Sequence, residues 1–359
     1  MPSLRTDNLN IESIQRLSPP EEVRQAYPLT PEAADTVVAG RAAVEDILLR
    51  RDERRLITIV GPCSIHDRES ALDYARRLRA LTVELGDRLA VIMRVYFEKP
   101  RTKLGWKGLI YDPHLDNTGD IEAGLRQARS ILLAINELGL PAATEMLEPV
   151  IPQYITDLVS WGAIGARTTE SQTHRQMASG LSMPIGFKNA TDGTIRTAIE
   201  AIQAARSPHT FIGIDENGAV GLFRTRGNAF GHIVLRGGSR EPNYSSEFIA
   251  FTKEAMRKEG LVPNILVDCS HANSGKDPDR QIAVAADVLD QMQRGERDIV
   301  GIMLESNLLG GRQPMDQTGR DGLDPGRSIT DPCLDWEQTE TLLRTVHARL
   351  ESQKPLAQD

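Results

Sequence analysis

Between residues 56 and 306 the chain alternates short runs rich in β-branched residues with longer, charge-bearing segments of helical period. The runs are LITIV (56–60), AVIMRVYF (90–97), AATEML (142–147), AIGART (163–168), PIGFKN (184–189), HIVLRGG (232–238), NILVDCSH (264–271) and IVGIMLES (299–306). Helical segments between them include ESALDYARRLRALTVELG, DIEAGLRQARSILLAINELG, TIRTAIEAIQAARS, SSEFIAFTKEAMRKEG and DPDRQIAVAADVLDQMQRG. Strand runs and intervening helices in this number predict an α/β chain folded as a (β/α)8 barrel rather than an open doubly wound sheet. One domain over 1–359 is expected. The first residues, polar and punctuated by proline, predict an arm outside the main fold, until Thr30 as N-cap and Pro31 as first residue start a helix. One connection breaks the rhythm: HTFIGIDENGAVGLFRTRGNAFG (209–231) contains two alternating strands joined by DENG, which predicts an inserted hairpin.

Composition narrows the class. Apolar residues at 40%, charged at 26% and aromatics at 4% describe a soluble globular chain. No apolar stretch approaches the roughly 20 residues that span a bilayer, and MPSLRTDNLNIESIQRLSPP holds no apolar secretory segment, so a cytoplasmic protein without membrane contact is expected. With 42 basic against 50 acidic side chains the net charge is −8, which argues against a nucleic-acid surface and leaves room for a local basic pocket. Cys63, Cys269 and Cys333 are odd in number, which makes disulfides an unattractive reading and catalysis or metal binding a better one.

The chemistry collects where the runs end. Cys63 and His66, Arg94 with Lys99 and Arg101, Glu145, Arg167, Lys188, Arg236, Asp268 with His271, and Glu305 all fall at C-terminal ends of expected strands. In a barrel those ends converge on one mouth, where active sites of this fold sit. The basic members repel one another unless anions compensate them, so the mouth should bind a ligand with more than one anionic group, or two such ligands. Cys63, His271 and Glu305 together suit a borderline divalent metal, Mn, Fe, Co or Zn, and SITDPCLDW offers Asp331 as a further ligand. A nucleophilic Cys63 with His66 or His271 as base is the rival reading, and an ordinary turn in GPCSIHD the third. Within DCSH, strand alternation would put Asp268 and Ser270 on one face and Cys269 and His271 on the other. Cys269 and Cys333 are expected in the packing. The glycine-rich insertion LGGRQPMDQTGRDGLDPGR before Asp331 is expected to be a loop.

GPCSIHD, MRVYFEKPRTKLGWKGLIYDPHLD, IGARTTESQTHRQMASGLSMPIGFKNATDG, HIVLRGG, VDCSHANS, GIMLESNL and SITDPCLDWEQT together resemble the class I 3-deoxy-D-arabino-heptulosonate 7-phosphate (DAHP) synthases of bacterial and yeast type. The resemblance runs from about residue 5 to 350 and implies a metal-dependent barrel that condenses phosphoenolpyruvate with erythrose 4-phosphate. Matched position by position, it implies Cys63, His271, Glu305 and Asp331 as metal ligands. It implies Arg94, Lys99 and Lys188 at the phosphoenolpyruvate carboxylate, and Arg167 and Arg236 at its phosphate. Within KPRT it implies Lys99 near the aldose hydroxyls and Arg101 and Thr102 at the aldose phosphate, and it sets Glu145 near the enol carbon. Lys99, Glu145 and His271 are thereby the candidate catalytic groups.

In the resembled family, parts beyond the bare barrel build an aromatic amino-acid pocket and an oligomer interface, so residues 1–40 and 209–231 are expected to serve regulation and assembly into a homodimer or homotetramer. Pro152, Ser182, Phe211 and Gly213 match that pocket, with Asn8 from the arm. Phenylalanine-sensitive members tend to carry serine at the position of Gly213 and tyrosine-sensitive members glycine, which implies a tyrosine effector; TDPCL resembles tryptophan-sensitive members. Two alternatives stand beside this reading. One is 3-deoxy-manno-octulosonate 8-phosphate synthase, whose aldose loop carries AN where this chain has KPRT. The other is a non-catalytic amino-acid-binding regulator.

Overall fold

A computed structural model of the chain describes residues 6–101, 103–315 and 322–352. Five strands come first: β1 (Leu56–Gly61), β2 (Leu89–Arg94), β3 (Ala142–Glu145), β4 (Trp161–Ile164) and β5 (Ile185–Lys188). β6 (Thr210–Ile214) and β7 (Val220–Arg224) then form the expected antiparallel hairpin, followed by β8 (Gly231–Leu235), β9 (Ile265–Asp268) and β10 (Ile299–Glu305). Apart from the hairpin, these strands close in the order β1-β10-β9-β8-β5-β4-β3-β2, all neighbours parallel. The (β/α)8 barrel is therefore present, and each expected run overlaps one of its strands, the least at β4, which starts two residues ahead of the AIGART run.

Two helices precede the barrel, α1 (Pro20–Ala26) and α2 (Pro31–Leu48). The connections carry α3 (Arg68–Leu85), α4 (Ile121–Glu137), α5 (Pro152–Ile155), α6 (Gln172–Ala178), α7 (Arg196–Arg206), α8 (Ser246–Lys258) and α9 (Arg280–Gln293), and α10 (Trp336–Glu351) follows the last strand. Caps set the starts: Thr30 accepts from Ala33 N–H and Asp67 from Ser70 N–H at 2.8 Å. Asp67 of GPCSIHD is thus the N-cap of α3.

Two expectations change. The arm does not stay outside the fold, because a proline start and a buried Val23 turn its second half into α1. Tyr154 Oη donates to Ser18 O at 2.9 Å, and Glu21 N–H donates to Glu216 O of the hairpin at 2.8 Å. The glycine-rich insertion is not all loop either: β11 (Leu309–Arg312) pairs with β12 (Arg327–Ser328), and Gly311 bridges to Cys333. Residues 316–321 of that insertion lie outside the described residues.

Alternation sorts the barrel side chains. Ile57, Ile59, Ala90, Ile92, Ala143, Ala163, Val234, Leu266 and Met303 belong to one buried cluster, which Val44, Ile47 and Leu48 of α2 join. Leu56, Val60, Val91 and Met93 belong instead to the larger cluster shared with the helices. Period two therefore assigns the first set to the interior and the second to the helix layer.

Candidate active site and metal centre

The same period carries the interior set one layer higher, into the mouth. Two residues beyond Ile92, Ala143, Gly186, Val234, Leu266 and Met303 stand Arg94, Glu145, Lys188, Arg236, Asp268 and Glu305. Strand register aligns them: Gly61 faces Glu305 across β1 and β10, and Met303 faces Asp268 across β10 and β9. Just past β4 that layer is Gly165, where a Cβ would lie 2.1 Å from Glu145 Oε1, so the missing side chain is what gives the carboxyl its place. Gly61, with φ +154, lets β1 turn past Arg94, whose carbonyl oxygen would be 2.7 Å from a Cβ there.

Ligand atoms of Cys63, Glu305 and Asp331 all lie within 4.8 Å of one another. Cys63 Sγ accepts from Lys99 Nζ at 3.1 Å and from Asp331 N–H at 3.4 Å. Glu305 accepts from Arg94 Nη2 at 3.0 Å in a buried pair, and its backbone is clasped by Gln281, which donates to Glu305 O at 2.9 Å and accepts from its N–H at 2.8 Å. Burial pushes the Cys63 thiol up, with the Glu305 charge acting the same way. Against burial, the hydrogen bond from Lys276 and the charges of Lys99 and Lys276 hold the Asp331 carboxyl down to about 2.

His271 stands beside this group rather than within it. Its Nε2 lies 3.7 Å from Glu305 Oε1, while Nδ1 meets Asp268 Oδ2 at 2.9 Å and Ser270 Oγ at 2.7 Å. A carboxylate behind Nδ1 fixes the tautomer that turns the Nε2 lone pair outward, the arrangement common behind metal-bound imidazoles. The alternation expected through DCSH fails here, since β9 ends at Asp268 and His271 takes a left-handed φ of 54°, which brings its ring back to Asp268. Thiolate, imidazole and two carboxylates form a donor set that fits a borderline divalent cation.

Cations fill the adjoining wall. Lys188 Nζ donates to Asp268 Oδ2 at 2.9 Å with both groups buried. Burial works against the Asp268 charge, yet His271, Lys188 and the Ser270 hydroxyl hold it well below the usual carboxylate range. Arg94 stacks 3.5 Å over the Tyr96 ring and donates Nε to Pro62 O at 3.1 Å. Burial lowers the Arg236 guanidinium, and the nearby Arg167 charge adds to the effect against Asp268. Two guanidiniums within electrostatic reach of each other suit a dianion such as phosphate.

Glu145 Oε1 and Tyr96 Oη are buried with no hydrogen-bond partner among the described residues. Both therefore offer open valences to whatever occupies the mouth. Glu98, next to Lys99, is buried and accepts from Glu148 N–H and Tyr111 Oη, each at 3.3 Å. Burial, then the Glu145 charge, pushes its carboxyl up to about 8. Arg101 is exposed and donates Nε to Trp106 O at 2.7 Å, which ties it to its own loop, and Thr102 lies outside the described residues. Sequence reasoning did not single out Glu98, Tyr96, Gln281 or Lys276, which donates to Asp331 Oδ1 at 2.9 Å. Of these, Tyr96 alone carried a signal, being in phase with Arg94.

The residues expected for an effector pocket are partly gathered. Phe211 stacks on Phe223 with ring centroids 5.7 Å apart, and Gly213 faces Gly221 in the same hairpin. Pro152 starts α5 and is buried, while Ser182 is exposed ahead of β5. Asn8 is exposed and donates to Asp7 at 3.3 Å; no hydrogen bond among the described residues ties it to the hairpin or to α5.

A profile of the DAHP synthetase I family matches residues 33–344. The Tyr-sensitive phospho-2-dehydro-3-deoxyheptonate aldolase of Escherichia coli is 52% identical over 347 residues, 97% of each chain. The Phe-sensitive enzyme of the same organism is also 52% identical, over 342 residues, 95% of this chain and 97% of its own. The solved structure of the Francisella tularensis phospho-2-dehydro-3-deoxyheptonate aldolase superposes with a TM-score of 0.93 at 42% identity, covering 96% of this chain and all of that one. Matched along nearly its whole length, in sequence and in barrel alike, the chain belongs to the DAHP synthetase I family.

Proposed function

We propose that the chain condenses phosphoenolpyruvate with erythrose 4-phosphate and water to give DAHP and phosphate, the first step of the shikimate pathway. The observation that carries this reading is one barrel mouth in a chain of this family where Arg94, Lys99, Lys188 and Arg236 adjoin the Cys63, Glu305 and Asp331 cluster. Cys63, His271, Glu305 and Asp331 would hold a divalent cation, with Mn, Fe, Co and Zn all compatible with the donors. Bound there, the cation supplies Lewis-acid polarisation of an aldehyde carbonyl.

The side chains divide the remaining work. Arg167 and Arg236 take the phosphate of the enol donor, and Arg94, Lys99 and Lys188 take its carboxylate. Arg101 and Thr102 take the aldose phosphate, with Lys99 beside the aldose hydroxyls. Fixed in this way, the enol C3 forms its bond to the aldehyde carbon, water adds at C2, and phosphate leaves with cleavage of its C–O bond. Glu145, whose buried Oε1 has no hydrogen-bond partner among the described residues, orients the water. His271, with Nδ1 held by Asp268, completes the donor set.

Tyrosine is the proposed effector. A Cβ on Gly213 would lie 3.0 Å from the Phe223 ring, so the glycine keeps room beside the Phe211 stack that a hydroxyl-bearing ligand can use. Ile212, Val220 and Leu222 on the other hairpin face, and Leu9, Ile11 and Ile14 of the arm, are exposed apolar residues that support a homodimer or homotetramer. No helix among the described residues is long and apolar enough to cross a membrane, and the proposed setting is the cytoplasm.

The test is phosphoenolpyruvate consumption by metal-replete protein with erythrose 4-phosphate or arabinose 5-phosphate, with and without chelator. Consumption with erythrose 4-phosphate alone, abolished by chelator and by Cys63→Ala, is the expected outcome. Consumption with arabinose 5-phosphate would move the assignment to the octulosonate enzyme. Consumption with neither sugar would leave an amino-acid-binding regulator.

A further inference from the structure

Asp331 and Cys63 come from opposite ends of the chain, and their loops are stitched together by side chains the reaction does not touch. Ser64 Oγ lies 2.7 Å from Thr330 Oγ1. Thr330 Oγ1 lies 3.4 Å from Ser328 Oγ, which accepts from Thr330 N–H at 3.1 Å and donates to Asp331 O at 2.7 Å. All three hydroxyl residues are buried. The loops meet a second time where Asp331 N–H donates to Cys63 Sγ at 3.4 Å.

Both backbone polar groups of Asp331 are therefore engaged, the N–H by the Cys63 sulfur and the carbonyl by Ser328. Only the two side-chain torsions remain to place its carboxylate. That matters because the carboxylate itself is partly exposed, and the segment carrying it follows the long insertion after β10. Without the stitch, a cation would have to order this segment at the expense of its own affinity. Ser328 has a single proton, already given to Asp331 O, so its oxygen serves as the acceptor for Thr330 N–H. Ser64 then completes Thr330, and removing either hydroxyl leaves its buried partner without its 2.7 Å contact.

We infer that Ser64, Thr330 and Ser328 are positioning residues that set the spacing of Cys63 from Asp331 and thereby the affinity of the cluster for a divalent cation. The inference rests on the metal reading given above. It adds a relay in which a buried hydroxyl beside one ligand governs the placement of another.

The probe is cobalt(II) alone, titrated anaerobically into the full-length protein. The readouts are the thiolate-to-cobalt charge-transfer band and calorimetric affinity, with thermal unfolding followed alongside. Ser64→Ala and Thr330→Val should each weaken cobalt binding about ten- to a hundredfold and reduce or shift the band, the range seen when partners behind metal ligands are removed. Their combination should cost far less than the product of the two, because both cut the same relay. Thr330→Ser keeps the hydroxyl and should bind as the parent does. Thr252→Val, which removes a buried hydroxyl from α8, should lower thermal stability and leave cobalt affinity unchanged. Parent-like affinity and band in both Ser64→Ala and Thr330→Val, with binding lost in Cys63→Ala, would overturn the relay and spare the metal site. Equal cobalt binding by the parent and Cys63→Ala would overturn the metal reading and the relay together.

Discussion

Replacing Glu98 by glutamine isolates the energetics of a carboxyl that the fold keeps neutral. Glu98 sits between Lys99 and the segment after β3, accepting from Glu148 N–H and from Tyr111. Burial and the Glu145 charge raise it from an ordinary 4.5 to about 8. A carboxyl raised on folding contributes its full share below the unfolded value and loses it as pH climbs towards the folded value. Near pH 5 the penalty is under about 1 kcal/mol, whereas at pH 8 it reaches roughly 4 kcal/mol, at about 1.4 kcal/mol per unit. Glutamine is close in shape, keeps the acceptor oxygen and cannot ionise. The stability of Glu98→Gln relative to the parent should therefore improve by about 3 kcal/mol between pH 5 and pH 8, read by urea unfolding at fixed protein concentration. Difference infrared spectra should show a protonated carboxyl at neutral pH that the variant lacks. A stability difference that stays flat with pH, or moves the other way, would show that Glu98 ionises freely and that the two glutamates do not share one desolvated site.

Three further outcomes follow from single contacts. His232 is buried in the barrel, accepts from Trp161 Nε1 at 3.0 Å, and is pulled down to about 4 by burial. A depressed histidine contributes stability above its unfolded value near 6.5 and loses it as pH falls towards 4, so His232→Gln should cost about 2 kcal/mol less at pH 5 than at pH 7.5 by equilibrium unfolding. Gly165→Ala should push the Glu145 carboxyl aside, lowering kcat about a hundredfold with little change in the KM for phosphoenolpyruvate; steady-state kinetics matching the parent would remove Glu145 from the reacting centre. With tyrosine as the proposed effector, Gly213→Ser should move feedback sensitivity towards phenylalanine, measured as the inhibitor concentration that halves turnover.

The parts of this protein that a linear reading reaches are those with a short period. Eight apolar runs announce eight strands, and because parallel strands point the same way in a closed barrel, the sequence alone gathers Arg94, Glu145, Lys188, Arg236 and Glu305 at one mouth. Period reasoning fails where a strand stops. β9 ends at Asp268, and the left-handed turn at His271 reverses the face that alternation assigns to the imidazole. It is also blind to pairs far apart in sequence. Glu98 reads as one more charge on a polar loop, and what makes it unusual is a backbone N–H contributed from Glu148 on a different strand connection. Ser64 and Thr330 are separated by 266 residues and read as ordinary turn residues, yet their contact fixes the loops of two proposed ligands.

These two kinds of feature divide the labour of the site. The strand ends supply charge in a fixed layer, where each side chain is placed by its own strand and needs little help. Asp331 has no barrel strand beneath it. Its position is assembled from the β11–β12 pairing, the Gly311–Cys333 bridge and the hydroxyl relay, all of them contacts made outside the barrel sheet. A barrel can therefore keep its cation wall through many changes at the mouth, while the Asp331 corner depends on a few buried hydroxyls. Loss of function by substitutions outside the proposed ligands should accordingly concentrate in residues 308–315, 322–334 and 61–67 rather than in the helices around the barrel.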